Sequence, residues 1–94
     1  MLQAGRRLVL WGAGSKGVTF LTSLKLSTSV LPYVVDLNPR KVNLFVPLTG
    51  QQVVGPQFLK NYRPTDIIIM NSLYRREIKT QLAKMGLSPT IHCA

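Results

Sequence analysis

Along the first third of the chain the spacing of apolar residues switches between two regimes. Residues 7-RLVLW-11 form a short unbroken apolar run that stops at Gly12, the pattern of a strand buried on both faces of a parallel sheet. From Ser15 to about Leu26 the period lengthens: Val18, Leu21 and Leu24 or Lys25 recur at helical spacing, and Ser15 is placed to cap the first turn. The segment 30-VLPYVVD-36 is β-branched and aromatic, accepts Pro32 near its start, and predicts a second strand that ends on an acid.

The stretch 37-LNPRKVNLFVPLTG-50 has two prolines and no clean period, which predicts a loop with one irregular helical turn after Pro39. A short third strand follows at 51-QQVV-54, and Pro56 in 55-GPQFLKNY-62 suits the first position of a brief helix. The run 65-TDIIIMN-71 predicts a central strand. Over 73 to 86, Tyr74, Ile78, Leu82 and Met85 make one apolar stripe, Arg75, Arg76, Lys79 and Lys84 point elsewhere, and Gly86 stops the helix. Thr90 to Cys93 predict a fifth, edge strand. Strands alternating with helices over short connections imply right-handed crossovers. The expected fold is therefore α/β: a Rossmann-like three-layer sandwich with a mostly parallel sheet of four to five strands ordered 3-2-1-4-5, one domain over residues 1–94.

Composition adds a sign to this picture. The chain carries 12 Lys and Arg against Asp36, Asp66 and Glu77, a formal net charge of +9. Such a field favours an anionic partner: nucleic acid, a phosphorylated metabolite or an acidic protein surface. It is equally what a piece of a larger chain shows when the acidic complement lies elsewhere. Cys93 is the single cysteine, which excludes an intrachain disulfide and fits a reducing, cytoplasmic setting. No apolar stretch reaches the length of a membrane span, and the start lacks the pattern of a signal peptide, so no membrane association is expected.

The candidate chemistry sits where strand one meets helix one. Gly12, Gly14 and Gly17 have the G-x-G-x-x-G spacing, with Ser15 and Lys16 between them. In that pattern the first glycine permits a tight turn, the second a close ligand approach, and the third close packing of helix on strand. The helix amino terminus offers unpaired N–H groups to an anion, and Lys16 adds a full charge. Asp36 lies 19 positions after Gly17, where an acid can take ribose hydroxyls. The same glycines can serve packing alone, and a polar residue often ends a strand. If the site is real, the fold brings Ser15, Lys16, Asp36, Asn38 and Asn71 to one crevice at the carboxyl ends of the strands. The sequence has no nucleophile with its base, no metal cluster and no carboxylate pair. His92 reads as an edge-strand residue, Glu77 as a member of a solvated ion pair, and the basic helix face as solvated or in contact with a phosphate backbone.

Four blocks in order, WGAGSKG, VVDLNPRK from 34, PLTGQQVVGP from 47 and NSLYRREI from 71, together resemble one family across nearly the whole chain. The sequence is similar to the C-terminal domain of SAM-dependent C-methyltransferases that act on nucleotide-linked deoxysugars. That resemblance implies a Rossmann-like unit that helps hold a nucleotide-sugar, such as a dTDP-deoxysugar, and is not catalytic alone. SAM would be bound by a separate catalytic domain, in cis or in trans, and by no residue here. By the resemblance Gly12, Gly14, Ser15, Lys16 and Gly17 form the glycine loop. Asp36, Asn38, Pro39 and Lys41 form the second-strand motif, and Asn71, Tyr74 and Glu77 the block after strand four. Two places depart from the family pattern. Leu48 stands where a glycine is usual, and leucine resists a positive φ, which implies a reshaped loop at 47–50. Ser72-Leu73 replaces a usual aromatic or proline-containing pair. The alternatives are a non-catalytic module docking on a methyltransferase and a basic nucleic-acid-binding domain.

Overall fold

Five strands, β1 (Leu8–Trp11), β2 (Tyr33–Val35), β3 (Gln52–Val54), β4 (Asp66–Ile69) and β5 (Thr90–Cys93), form one sheet in the order β3-β2-β1-β4-β5. All four pairings are parallel, with Val9 opposite Tyr33 and Ile67, and Ile67 opposite Ile91. The computed structural model describes residues 6–12 and 14–93. Three helices connect the strands: α1 (Ser15–Ser23), the short α2 (Leu59–Tyr62) that continues a 3-10 turn begun by Pro56, and α3 (Arg75–Lys84).

The strands read as continuous apolar runs because both faces of the sheet are covered. Leu8, Leu10, Val34, Val53 and Ile68 join Leu21 of α1 in one core. Their sequence neighbours Val9, Trp11, Val35, Val54, Ile67 and Ile69 join Leu59 of α2 and Ile78 and Leu82 of α3 in the other. A period of two along each strand thus sorts every apolar side chain to one of two layers. The fold is Rossmann-like and three-layered, as the pattern predicts.

Local chemistry sets the ends of the helices. Gly14, not Ser15, occupies the N-cap of α1, and Ser15 is the first helical residue. The helix stops at Ser23, short of the expected Leu26. Lys25 takes φ 52° there, while the amides of Leu26 and Lys25 return to the carbonyls of Leu21 and Thr22, closing a Schellman-type end. Leu24 is consequently 57% exposed and outside the core. The same motif ends α3 with Gly86 at φ 74°. The loop from 37 to 50 folds back so that residues 43–46 run beside β3. Val53 and Val46 amides donate to the Leu44 and Gln51 carbonyls, which covers the β3 edge. Leu48 does adopt the left-handed region, at φ 70°, with 92% of its surface exposed. That is a backbone conformation glycine takes more readily than leucine.

At the opposite end of β4 from the glycine turn, Asp66 is buried. Its carboxylate accepts from Thr65 Oγ at 2.7 Å, lies 2.9 Å from His92 Nε2 on β5, and lies 3.4 Å from the Arg6 guanidinium. Burial alone would raise the pKa of Asp66. The bonds with His92 and Thr65 and the Arg6 charge outweigh it and hold the carboxyl below its ordinary value. This cluster pins the edge strand β5 to β4.

Candidate functional site

The strand order reverses between β1 and β4, and at such a switch point the carboxyl ends of neighbouring strands splay apart into a crevice. Here the crevice is a cavity of about 430 Å³, lined by Trp11 at the end of β1 and Gly12 after it, Val35 at the end of β2 with Asp36 and Leu37 after it, Tyr74 just before α3, and Glu77, Ile78 and Gln81 of α3.

Gly12 makes the turn out of β1 at φ 118°, a conformation that L side chains rarely adopt, and its amide donates to the Val35 carbonyl at 2.7 Å. Gly17 faces inward from α1. A Cβ there would press on the Gly12 carbonyl oxygen and lie 3.2 Å from Leu10 Cδ2, so its absence sets how closely α1 approaches β1. Gly14 differs from both. Its φ of −77° suits any residue and, chain neighbours apart, no atom of the described residues lies within 4 Å of where a Cβ would stand. The fold does not need that glycine, and the bare backbone leaves the amino terminus of α1 open to solvent. Ala13, inside the turn, lies outside the described residues.

Asp36 continues β2 by donating its amide to the Val54 carbonyl. Its carboxylate, 16% exposed, accepts from the Asn38 amide at 2.8 Å and lies 3.8 Å from Lys41 Nζ. Asn38 repeats the device, its Oδ1 accepting from the Arg40 amide at 3.0 Å. Asn71 caps the turn after β4, its Oδ1 accepting from the Leu73 amide at 3.0 Å. Of the residues singled out in the sequence, the cavity brings together Gly12, Asp36, Tyr74 and Glu77. Asn38 and Asn71 build the loops on either side of it. Lys16 lines a different groove of about 510 Å³, along α1, with Thr19, Phe20, Ser23, Leu24 and Met70. Tyr74 was expected in the apolar stripe of α3; it is 55% exposed instead, because the chain is still in a 3-10 turn there and the helix begins at Arg75.

Trp11, Leu37, Ile78 and Gln81 were not singled out as site residues, although the helical spacing of 77, 78 and 81 places Ile78 and Gln81 on one face of α3. Glu77 belongs to the same face and makes no ion pair or hydrogen bond among the described residues, unlike the solvated pair expected of it. Among those residues no group of three or more His, Cys, Asp or Glu could hold a metal ion, and no helix is long and apolar enough to cross a membrane.

A parallel sheet ordered 3-2-1-4-5, with a glycine turn after its first strand and an acid after its second, defines a Rossmann-like domain. The chain belongs to the C-methyltransferase C-terminal domain family, whose model matches residues 1–88. No curated protein sequence matches it. Among solved structures it is similar to RSP, a Rex-family repressor, with a TM-score of 0.66 at 14% identity over 95% of this chain. The chain spans about half the length of that repressor, 52%. It is also similar to UDP-D-quinovosamine 4-dehydrogenase from Vibrio fischeri, with a TM-score of 0.65 at 16% identity, over 94% of this chain and 78% of that one. The repressor in complex with β-NAD+ and operator DNA gives a TM-score of 0.61 at 15% identity, over 95% of this chain and 49% of that one. At such identities these likenesses show the fold.

Proposed function

We propose that this domain helps a SAM-dependent sugar C-methyltransferase hold its nucleotide-sugar, with the nucleotide in the crevice and the phosphates over the glycine turn, and that methyl transfer takes place on a separate catalytic domain. The observation that carries the reading is the convergence of Gly12, Asp36 and Tyr74, from three separate stretches of sequence, on one cavity of about 430 Å³. Gly14 and Ser15 would present backbone amides of α1 to the phosphates, where the helix dipole favours negative charge. Asp36 would accept from ribose hydroxyls, and Asn38 and Asn71 would fix the loops beside it. Lys16 and the net charge of +9 would draw the anion in. The fold neighbours include a protein named for a UDP-sugar and one bound to NAD+, which is the ligand chemistry this reading requires. Titration of dTDP-, UDP- and GDP-linked hexoses into the 15N-labelled domain tests it. Amide shifts are expected at 12–17, 36–38 and 74–81, and their absence with all three ligands would overturn the proposal.

A second reading is that the domain docks on the methyltransferase catalytic domain. Leu44, Phe45 and Leu48, 56%, 65% and 92% exposed, lie together on the loop that covers β3. Replacing all three by serine should abolish capture of that domain while leaving nucleotide shifts intact; unchanged capture would refute it.

A further inference from the structure

Leu48 holds a backbone conformation that its own chemistry opposes. Four non-glycine residues take positive φ among the described residues. Lys25 and Arg63 close the ends of α1 and α2, where a left-handed residue lets the last carbonyls find donors. Asn43 has the short polar side chain that tolerates this region, and its Oδ1 accepts from Gln52 Nε2 at 3.2 Å. Leu48, at φ 70°, has neither reason: it ends no helix, and its side chain stands in solvent. The Thr49 amide donates to the Pro47 carbonyl at 2.8 Å across it, which makes residues 47–49 a γ-turn of the rare, strained kind. The same segment carries a second cost. Thr49 Oγ1 and Gln51 Oε1 are buried with no hydrogen-bond partner among the described residues, although buried polar atoms are nearly always paired. The ends of the segment are firmly held by contrast, the Val46 amide donating to the Gln51 carbonyl at 2.7 Å and Gln51 Nε2 to the Leu26 carbonyl at 2.9 Å.

We propose that the segment 46–51 is a two-state turn, in which Leu48 exchanges between the strained γ-turn and a relaxed conformer. In the relaxed conformer Leu48 returns to negative φ and residues 46–49 close a type I turn, whose second position suits Pro47. One backbone bond is traded for another. The Thr49 amide leaves the Pro47 carbonyl for that of Val46, and the Gly50 amide, which donates to the Val46 carbonyl at 2.9 Å in the γ-turn conformer, passes to solvent. Gly50 has no Cβ to resist the change. The two conformers differ by opposing contributions: the γ-turn conformer keeps an additional backbone bond, while the relaxed one releases the strain at Leu48 and carries the Thr49 hydroxyl out of a buried position where nothing meets it. Opposing contributions of this kind leave the second state populated as a minority. The consequence lies at the surface. The change of φ redirects the Leu48 side chain, so the exposed apolar patch it forms with Leu44 and Phe45 is complete in one conformer only. A partner that seats Leu48 selects that conformer, and the free domain samples both. The exchange belongs to the free domain and does not depend on what docks there.

The test is 15N relaxation dispersion on the free domain. The amides of 48–51 are expected to exchange on the microsecond-to-millisecond scale with a minor state of about 1–10%, while those of β1 and β4 stay flat. Leu48→Gly removes the penalty for a left-handed backbone and should lower the minor population about fivefold or more, flattening the profiles. Leu48→Ile is β-branched and tolerates that backbone less well, so it should raise the minor population about threefold or more. Thr49→Val deletes the unpartnered hydroxyl with little change of shape and should lower it. Thermal melts will establish that each variant folds. Flat profiles in both the wild type and Leu48→Ile, or dispersion that Leu48→Gly leaves untouched, would overturn the two-state turn and leave both functional readings standing.

Discussion

Replacing Gly14 and Gly17 separately by alanine distinguishes a glycine the fold needs from one that a ligand needs. At Gly17 the added methyl meets the Gly12 carbonyl oxygen and, at 3.2 Å, Leu10 Cδ2. A backbone carbonyl cannot swing aside like a side chain, so the amino end of α1 must lift off β1. Overpacking against a backbone carbonyl lies toward the upper end of a cost of about 1–3 kcal/mol, and the better helix propensity of alanine returns ~1 kcal/mol, for a net loss of up to about 2 kcal/mol. At Gly14, chain neighbours apart, the methyl meets no atom of the described residues within 4 Å and the backbone is already at φ −77°. Loss of a tolerated N-cap glycine and gain from a stiffer unfolded chain each amount to ~0.5 kcal/mol and oppose each other, so stability should stay within about 0.5 kcal/mol. Ligand affinity should behave the opposite way. Gly14→Ala sets a methyl over the helix end and should weaken nucleotide binding about tenfold or more at unaltered stability. Urea unfolding followed by circular dichroism measures the first quantity, with m of ~1 kcal/mol/M setting a midpoint shift of up to about 2 M for Gly17→Ala. Calorimetry measures the second. A stable Gly17→Ala would refute the close approach of α1 to β1. A Gly14→Ala variant that binds nucleotide like the wild type would refute the role given to the bare turn.

Leu48→Gly should raise stability by about 0.5–1 kcal/mol, because a left-handed leucine at φ 70° stores strain that exceeds the extra entropy of a glycine in the unfolded chain; an unchanged melting temperature would count against it. Asp66→Asn should destabilise the domain by about 2 kcal/mol at neutral pH by removing a charged partner from Thr65, His92 and Arg6. The carboxyl of Asp66 lies below its ordinary value, so its stabilisation is present above the unfolded pKa of ~3.9 and is lost as pH falls through the lower folded value. The gap between the two proteins should therefore begin to narrow as pH falls below about 4, and a gap that stays constant on further acidification would refute the assignment. Tyr74→Ala should weaken nucleotide binding about fivefold or more through lost stacking while leaving unfolding unaltered, since the ring is 55% exposed.

The layered fold was legible because the strands are buried on both faces, and short runs such as LVLW and DIII have no other use in a chain this size. Element ends were legible only where the residue itself dictates the backbone. Gly86 announces its left-handed turn, but Lys25 and Arg63 adopt φ 52° and 54° without any signal in their chemistry, and α1 was accordingly drawn too long. Leu48 shows the converse. A residue that disfavours the left-handed region still enters it, because the Gly50 amide bonds to the Val46 carbonyl and Val46 pairs with Gln51 on either side, fixing the loop from outside the turn.

The site was legible to the extent that it is built from backbone. Gly12 and Asp36 could be placed beside the crevice from spacing because a tight turn and a strand end occupy fixed places in a doubly wound sheet. The side chains that give the crevice its character were missed, since Leu37, Ile78 and Gln81 carry no motif and enter through the rotational phase of α3 and the exit angle of β2. Charge misled in the same way. Lys16 drew attention as a cation inside the glycine turn, yet it opens on the groove along α1, while Glu77, read from its charge as part of a solvated ion pair and from the resemblance as part of the block after strand four, lines the crevice. In a chain of net charge +9 attraction of an anion needs no particular lysine.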